Sequence, residues 1–347
     1  MKVEAIVPND LAAIPDAVRR YESLGYDGVV TLEVGHDPML GLLMAAEHST
    51  TLSLGTAVLI AFPRAPMVVA QQAWDIQRFS KGRLVLGLGS QVKGHITRRY
   101  STEWHDAAAP RMREYVTCLK AIWDSWQNGA AADFKGEYYQ YTLITPNFNP
   151  GPIDQPFPRV MVSAVNKYMA RVAGQVCDGV RMHGLNSPRY IREVLLPSIE
   201  AGLERSGRSR GDFEITMGTF IASGASQAEL EQSIESTRKR IAFYGSTRSY
   251  QKVLELHGWD DLVSRLHRMS VEGRWDEMAG EVSDDMLSEL AVIATYDDLP
   301  GEIERRLGGL VDCVELVLPA TNPDEEARAR EVVAAVQKIP MAVKAPS

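Results

Sequence analysis

The chain has 347 residues, 45% hydrophobic and 24% charged, with a formal net charge of −8. That length can bury a sizeable core, and the acidity argues against a nucleic-acid partner, which needs a basic face. No apolar stretch approaches the roughly 20 residues that span a bilayer, so no membrane partner is expected.

Cys118, Cys177 and Cys313 are dispersed, odd in number and set in apolar patterns. They suit reduced core thiols rather than a disulfide framework or a zinc site. The seven histidines lack paired metal spacing. The opening "MKVEAIVPND" has no signal-peptide layout and runs directly into a strand pattern. A soluble, cytoplasmic protein without a metal is expected.

Taken in order, the elements alternate. "VEAIVP" (3–8) reads as a strand, and Asp10 caps a helix with apolar positions at Leu11, Ile14, Val18, Tyr21 and Leu24. A turn at Gly25 leads into a second strand, followed by a helix from Pro38 to about His48. "TLSLGTAVLI" is a third strand, apolar on both faces, and Pro66 opens a helix to Phe79. "GRLVLGLG" is the fourth; after a long loop, "PRMREYVTCLKAIWDSW" is an amphipathic helix ending before Asn128-Gly129. "PRVMVSAV" and "DGVRMHG" are the fifth and sixth strands, with helices over "NKYMARVAGQVC" and from Pro188 to about Arg205. "DFEITMGTFIAS" is the seventh, with a helix from Ser226 to Tyr244. "DCVELVLP" (312–319) is the eighth, before a last helix from Pro323 to about Lys338.

Eight strands separated by helices over this length are the signature of an α/β (β/α)8 TIM barrel; a doubly wound open sheet usually needs fewer units. Three connections, 89–108, 128–158 and 245–311, are too long for turns and read as insertions in one domain spanning 1–347, the last helix-rich. Insertions at the carboxyl face of a barrel are where active sites are built.

"LVLGLGSQVKGH" (84–95) imitates a phosphate loop without being one. Val92 stands where a dinucleotide fingerprint needs its third glycine, and His95-Ile96 replace the Lys-Ser pair of a P-loop. The residues just past the other strand ends are Glu33, Gly35 and His36, Ile60 to Arg64, Ser90 to His95, Ser163 to Asn166, and His183. They are small residues, amides and histidines, with no nucleophile elbow and no carboxylate pair for glycoside hydrolysis. A site short of its own acids, bases and nucleophiles fits an enzyme whose cofactor carries the difficult chemistry.

The run "LGYDGVV…HDPMLGLLMAAEHSTTLSLGTAVLIAFPRAPMVVAQQAWDIQRFSKGRLVLGLGSQVKGHITRRY", with "IAFYGSTRSYQKVLELHGW…GRWDEMAGEVSDDML" further on, resembles the luciferase-like flavin oxidoreductase superfamily. The nearer likeness is to its branch that uses the deazaflavin coenzyme F420, and it extends over roughly residues 3 to 320. The resemblance implies a barrel with a flavin or deazaflavin on its carboxyl face. It further implies a bulge at Ala57-Val58, often a non-proline cis peptide, against the centre of the ring. Gly89, Ser90, Gln91 and His95 then meet the cofactor's polar edge, and Ser163, Ala164, Val165 and Asn166 hold its phosphate at a helix start. His36 aligns with a family proton donor, and Glu33 orients it or closes a salt bridge. Phe62 and His183 are pocket candidates, and Lys93, His95, Arg98 and Arg99 form a basic run that guides an anionic tail. Some sugar-phosphate members place an acid where Val92 stands, so a sugar phosphate is not the expected substrate.

The expectation is hydride transfer between F420 and a small organic substrate by a homodimer. Two alternatives stay open: an FMN-dependent monooxygenase, and a flavin- or F420-binding protein without turnover.

Overall fold

Eight short parallel strands close into a barrel in the computed structural model, which describes residues 1–341. They are β1 (Lys2–Ile6), β2 (Gly28–Thr31), β3 (Ser53–Thr56, resumed at Leu59–Ile60), β4 (Leu84–Gly89), β5 (Arg159–Ala164), β6 (Gly179–Met182), β7 (Glu214–Met217) and β8 (Cys313–Glu315). Neighbours follow chain order around the ring, and β8 returns to pair with β1, Val3 opposite Val314. β2, β4 and β6 are buried at every position, as strands sealed between a barrel interior and a helical layer must be. The (β/α)8 TIM barrel expected from the alternation is the architecture found.

The helices begin where cap chemistry tells them to. Asp37 accepts from Met39 N at 2.8 Å before Pro38–His48, Asn166 caps Lys167–Val176, and Ser226 caps Gln227–Gly245. Asn322 does the same before Pro323–Gln337. Helix Ala108–Asn128 stops at Gly129, whose φ of +72° only glycine adopts at little cost. Asp10 first caps a 3-10 turn, Leu11–Ala13, and the α-helix proper runs Ile14–Ser23. No helix among the described residues is long and apolar enough to cross a membrane.

Three readings need correction. The seventh strand is two: β7 ends at Met217, and Phe220–Gly224 leaves the barrel to pair in parallel with Ala291–Thr295. That second strand lies in 245–311, which is therefore helix-rich but not all helical. Segment 128–158 carries an antiparallel hairpin, Phe134–Lys135 with Gln140–Tyr141, instead of an open loop. The carboxylate of Glu114 ties this hairpin to helix Ala108–Asn128 through the amides of Glu137, Tyr138 and Tyr139. The hairpin packs on that helix, and among the described residues the cavity at the carboxyl end of the strands is lined from the other two insertions and not from this one. The short helix Lys93–Arg98 in 89–108 was likewise not foreseen.

The barrel interior is not purely apolar. Arg181 projects from β6 across it, its Nη1 2.8 Å from Glu4 Oε2 on β1 and 3.5 Å from Glu315 Oε1 on β8. Space for that long side chain comes from missing ones. A Cβ on Gly55 would stand 2.6 Å from Arg181 Nη2, and one on Gly87 would stand 3.0 Å from Arg181 Nε and overlap Thr56 O. Gly87 is further held by its amide donating to Thr56 Oγ1 at 2.9 Å and its carbonyl accepting from the same hydroxyl at 2.6 Å. The glycine of the apparent phosphate loop serves packing.

Gly87→Ala should therefore lower unfolding stability by about 1–3 kcal/mol or more. Gly280→Ala, where a Cβ meets nothing within 4 Å, should stay within about 0.5 kcal/mol. Urea unfolding of both checks this; equal effects would rule out the close approach of Arg181.

Candidate active site

A cavity of about 720 Å³ opens at the carboxyl end of the strands, in the size range of small-molecule sites. Its first wall is the bulge in β3. Leu54 faces Leu84 of β4 before the bulge and Leu59 faces Leu88 after it, so one extra residue is inserted. The Ala57-Val58 peptide within it is cis. Val58 packs its Cγ2 directly on the α-carbon of Gly89, where any larger residue would collide with it. Ala57, Val58 and Gly89 all line the cavity and present it with an apolar step.

Behind that wall lies a network centred on Glu33. Its carboxylate accepts from Ile60 N at 2.7 Å, from Arg64 Nη1 at 2.9 Å and from Tyr100 OH at 2.8 Å. Arg64 also reaches Asp37 Oδ2 at 2.9 Å. Glu33 thus clamps the loops after β2, β3 and β4 together, with its side chain 4% exposed. It lines the cavity, yet its oxygens are occupied with this structural work. His36 sits in the exposed part of the same loop and does not line the cavity, so the structure does not place it for proton transfer there.

The polar edge is made by Ser90, Gln91, Ser163, Val165 and Asn166. Gln91 takes a left-handed φ of +55° where the chain turns out of β4, and its Oε1 accepts from Val92 N at 2.9 Å. Asn166 Oδ1 is engaged by Tyr168 N and Met169 N at 3.0 and 3.1 Å, so its side chain serves the helix it caps. Ala164 is 1% exposed in the core beside these residues and does not line the cavity. His95 is exposed on helix Lys93–Arg98, outside the lining. Phe62 is also outside: 3% exposed, it lies beneath Arg111, whose guanidinium carbon is 4.3 Å from the ring centre. A cation–aromatic contact in the core accounts for it.

The far wall is aromatic. His183 lies at the end of β6 with Tyr244, Tyr250 and Phe220 at centroid distances of 4.4, 4.7 and 6.1 Å. Its Nδ1 accepts from Leu185 N at 3.0 Å, which puts the proton of the neutral ring on Nε2. Burial, and then the nearby Arg240 guanidinium, push this imidazole down to about 4. It faces the cavity as a neutral hydrogen-bond donor.

Sequence reasoning missed the floor. Arg181 and Glu315 line it, with Glu4 behind. A signal existed: "VEAIV", "GVRM" and "CVELVL" each hold one charged residue, Glu4, Arg181 and Glu315, inside an otherwise apolar run. It also missed Tyr244, Tyr250 and Arg240, which enter the wall only because Phe220–Gly224 swings out of the barrel.

Residues 2–312 match the family described as Luciferase-like monooxygenase. An uncharacterized protein of Mycobacterium tuberculosis is 46% identical over 324 residues, 93% of this chain and 95% of that one. A 5,10-methylenetetrahydromethanopterin reductase of Archaeoglobus fulgidus is 27% identical over 74% of each chain. An F420-dependent glucose-6-phosphate dehydrogenase of Intrasporangium calvum is 30% identical over 57% of this chain and 62% of its own. Among solved structures, the coenzyme F420-dependent tetrahydromethanopterin reductase from Methanopyrus kandleri superposes with a TM-score of 0.75 at 19% identity, covering 98% of this chain and 97% of that one.

A base held neutral by the fold binds fewer protons than the unfolded chain between its two pKa values. His183 therefore contributes stability that is present above about pH 6.5 and lost as pH falls toward 4. His183→Asn keeps an acceptor for Leu185 N but removes the titration. The stability gap between wild type and variant should widen by about 3 kcal/mol from pH 4 to 7, read by urea unfolding; a constant gap would show an imidazole that is not held neutral.

Proposed function

Because the chain belongs to the luciferase-like monooxygenase family, we propose that it is a coenzyme F420-dependent oxidoreductase, moving a hydride between the deazaflavin and a small organic substrate in the cavity. The observation that carries this reading is the pairing of the apolar step at Ala57, Val58 and Gly89 with a polar edge at Ser90, Gln91 and Ser163. A flat ring with one apolar face and one polar edge has the complementary shape. The cavity, about 720 Å³, has room for such a ring and a second small molecule. The F420-dependent relative and structural neighbour support the choice of deazaflavin.

When bound, the deazaflavin supplies a two-electron hydride carrier, the chemistry these side chains lack. The protein's own work is positional. Val58, seated on Gly89, offers a fixed surface, and the Glu33–Arg64 clamp holds the loops that carry it. Ser90 and Ser163 offer hydroxyls that donate or accept. The start of helix Lys167–Val176 favours an anion, although Asn166 already satisfies two of its amides. Lys93, Arg98 and Arg99 add positive charge outside the mouth. On the far wall, neutral His183 can donate from Nε2 to a substrate oxygen without placing a second charge there. The same reading includes a cytoplasmic homodimer.

The family's own description favours a second reading, in which the ring is FMN and the reaction consumes oxygen. Equilibrium binding of oxidised F420 and of FMN, side by side, separates the two. Tight F420 binding with weak FMN binding is the expected result; the reverse order establishes the flavin, and no binding of either refutes both. Ser163→Asp, which puts a carboxylate on the polar edge, should weaken binding at least about tenfold. Unchanged affinity would remove Ser163 from the binding surface. The buried neighbour Ala164 is unsuitable for this test, because a carboxylate there would disturb the core.

A further inference from the structure

Glu4 and Glu315 lie directly opposite one another on β1 and β8, and both turn to the guanidinium of Arg181. The sharing is unequal. Arg181 donates to Glu4 Oε2 at 2.8 Å and to Oε1 at 3.4 Å, whereas Glu315 Oε1 stands 3.5 Å from Nη1. The side chains of Arg181, Glu4 and Glu315 are 4%, 5% and 14% exposed. With both acids ionised, one negative charge would be left without a partner in a nearly dry interior, and that is costly. One proton on one acid removes the excess.

Glu315 is the acid that carries it. It has the poorer contact with Arg181, and among the described residues no donor reaches it within hydrogen-bond geometry. Burial pushes its carboxyl up to about 7, with Arg181 opposing and Glu4 assisting. Among the described residues the charged groups that act on it are Glu4 from β1 and Arg181 from β6, and the end of β7 contributes Gly218. A Cβ on Gly218 would stand 2.7 Å from Glu315 Oε2, so the glycine keeps the carboxyl free to turn. Glu315 lines the cavity and Glu4 does not.

We propose that Glu315 is the proton-exchanging group of the cavity floor, donating a hydrogen bond as the neutral acid to an acceptor atom, such as a carbonyl oxygen, of the molecule bound above it. Once ionised, it repels the same atom. The ligand half of this assignment rests on the cavity being the binding site proposed above; the proton half does not.

The test compares wild type with Glu315→Gln, which keeps a neutral donor at every pH and leaves the Arg181–Glu4 pair intact. In ligand-free wild type, infrared difference spectra should show a protonated carboxylic-acid C=O band that disappears as pH rises from about 6 to 8. The band should shift promptly in deuterated buffer, because the acid opens on the cavity, and should be missing from the variant. With oxidised F420 or FMN, the ratio of wild-type to variant affinity should fall about tenfold per pH unit above neutrality. A wild type without the band, or an affinity ratio independent of pH, overturns the proposal. If neither cofactor binds, the functional reading fails by itself, and a titrating, rapidly exchanging band still upholds Glu315 as the proton exchanger.

Discussion

One guanidinium organises the inside of this barrel. Arg181 cannot be buried alone, so Glu4 must stand beside it, and its length obliges β3 and β4 to carry Gly55 and Gly87 where it passes. Removing one member of such a buried pair typically costs about 3–5 kcal/mol, because the survivor is left as an unpaired charge. The glycines of β4 then have consequences one turn further out. Gly87 admits Arg181, and Gly89 admits Val58, so the shape of the cavity wall follows from what the interior had to accommodate.

This explains why "GLG" looks like a nucleotide loop and is not one. Backbone exposed by glycine serves any close approach, whether the visitor is a phosphate or a side chain from the opposite strand. Here both visitors are the protein's own. The side chains that face the cavity from this segment, Ser90 to Val92, come after the glycines, where the chain turns out of the barrel through Gln91.

The barrel was legible because its signals are local. Strands buried on both faces read as apolar runs, and Asp37, Asn166, Ser226 and Asn322 mark helix starts in plain sequence. Phe220–Gly224 was misread because its apolar run continues β7 without a break in pattern; only partnership with Ala291–Thr295, some seventy residues away, sends it elsewhere. In the site, the bulge and its polar edge were located through the family resemblance, whose matched positions fall just past strand ends. Glu33 was found, but its occupation by Arg64 and Tyr100 is a tertiary fact. His36 and His95 were placed at the cofactor by the family resemblance and Phe62 by its position just past the bulge, and their side chains lie outside the cavity lining. The Glu4–Arg181–Glu315 cluster was hidden because its members come from three distant strands, and each alone resembles an ordinary interruption in an apolar run.

The excursion of Phe220–Gly224 from the ring divides the molecule into parts under different constraint. The eight-stranded ring cannot change one strand without disturbing two neighbours. The two-stranded side sheet, by contrast, contributes Phe220, Ile221 and Ser223 to the cavity from outside that closed cycle. Mutation can therefore remodel one side of the chamber while the half that carries the bulge stays intact. A lineage can explore new chemical clientele by editing this annex and keep the machinery opposite it unchanged.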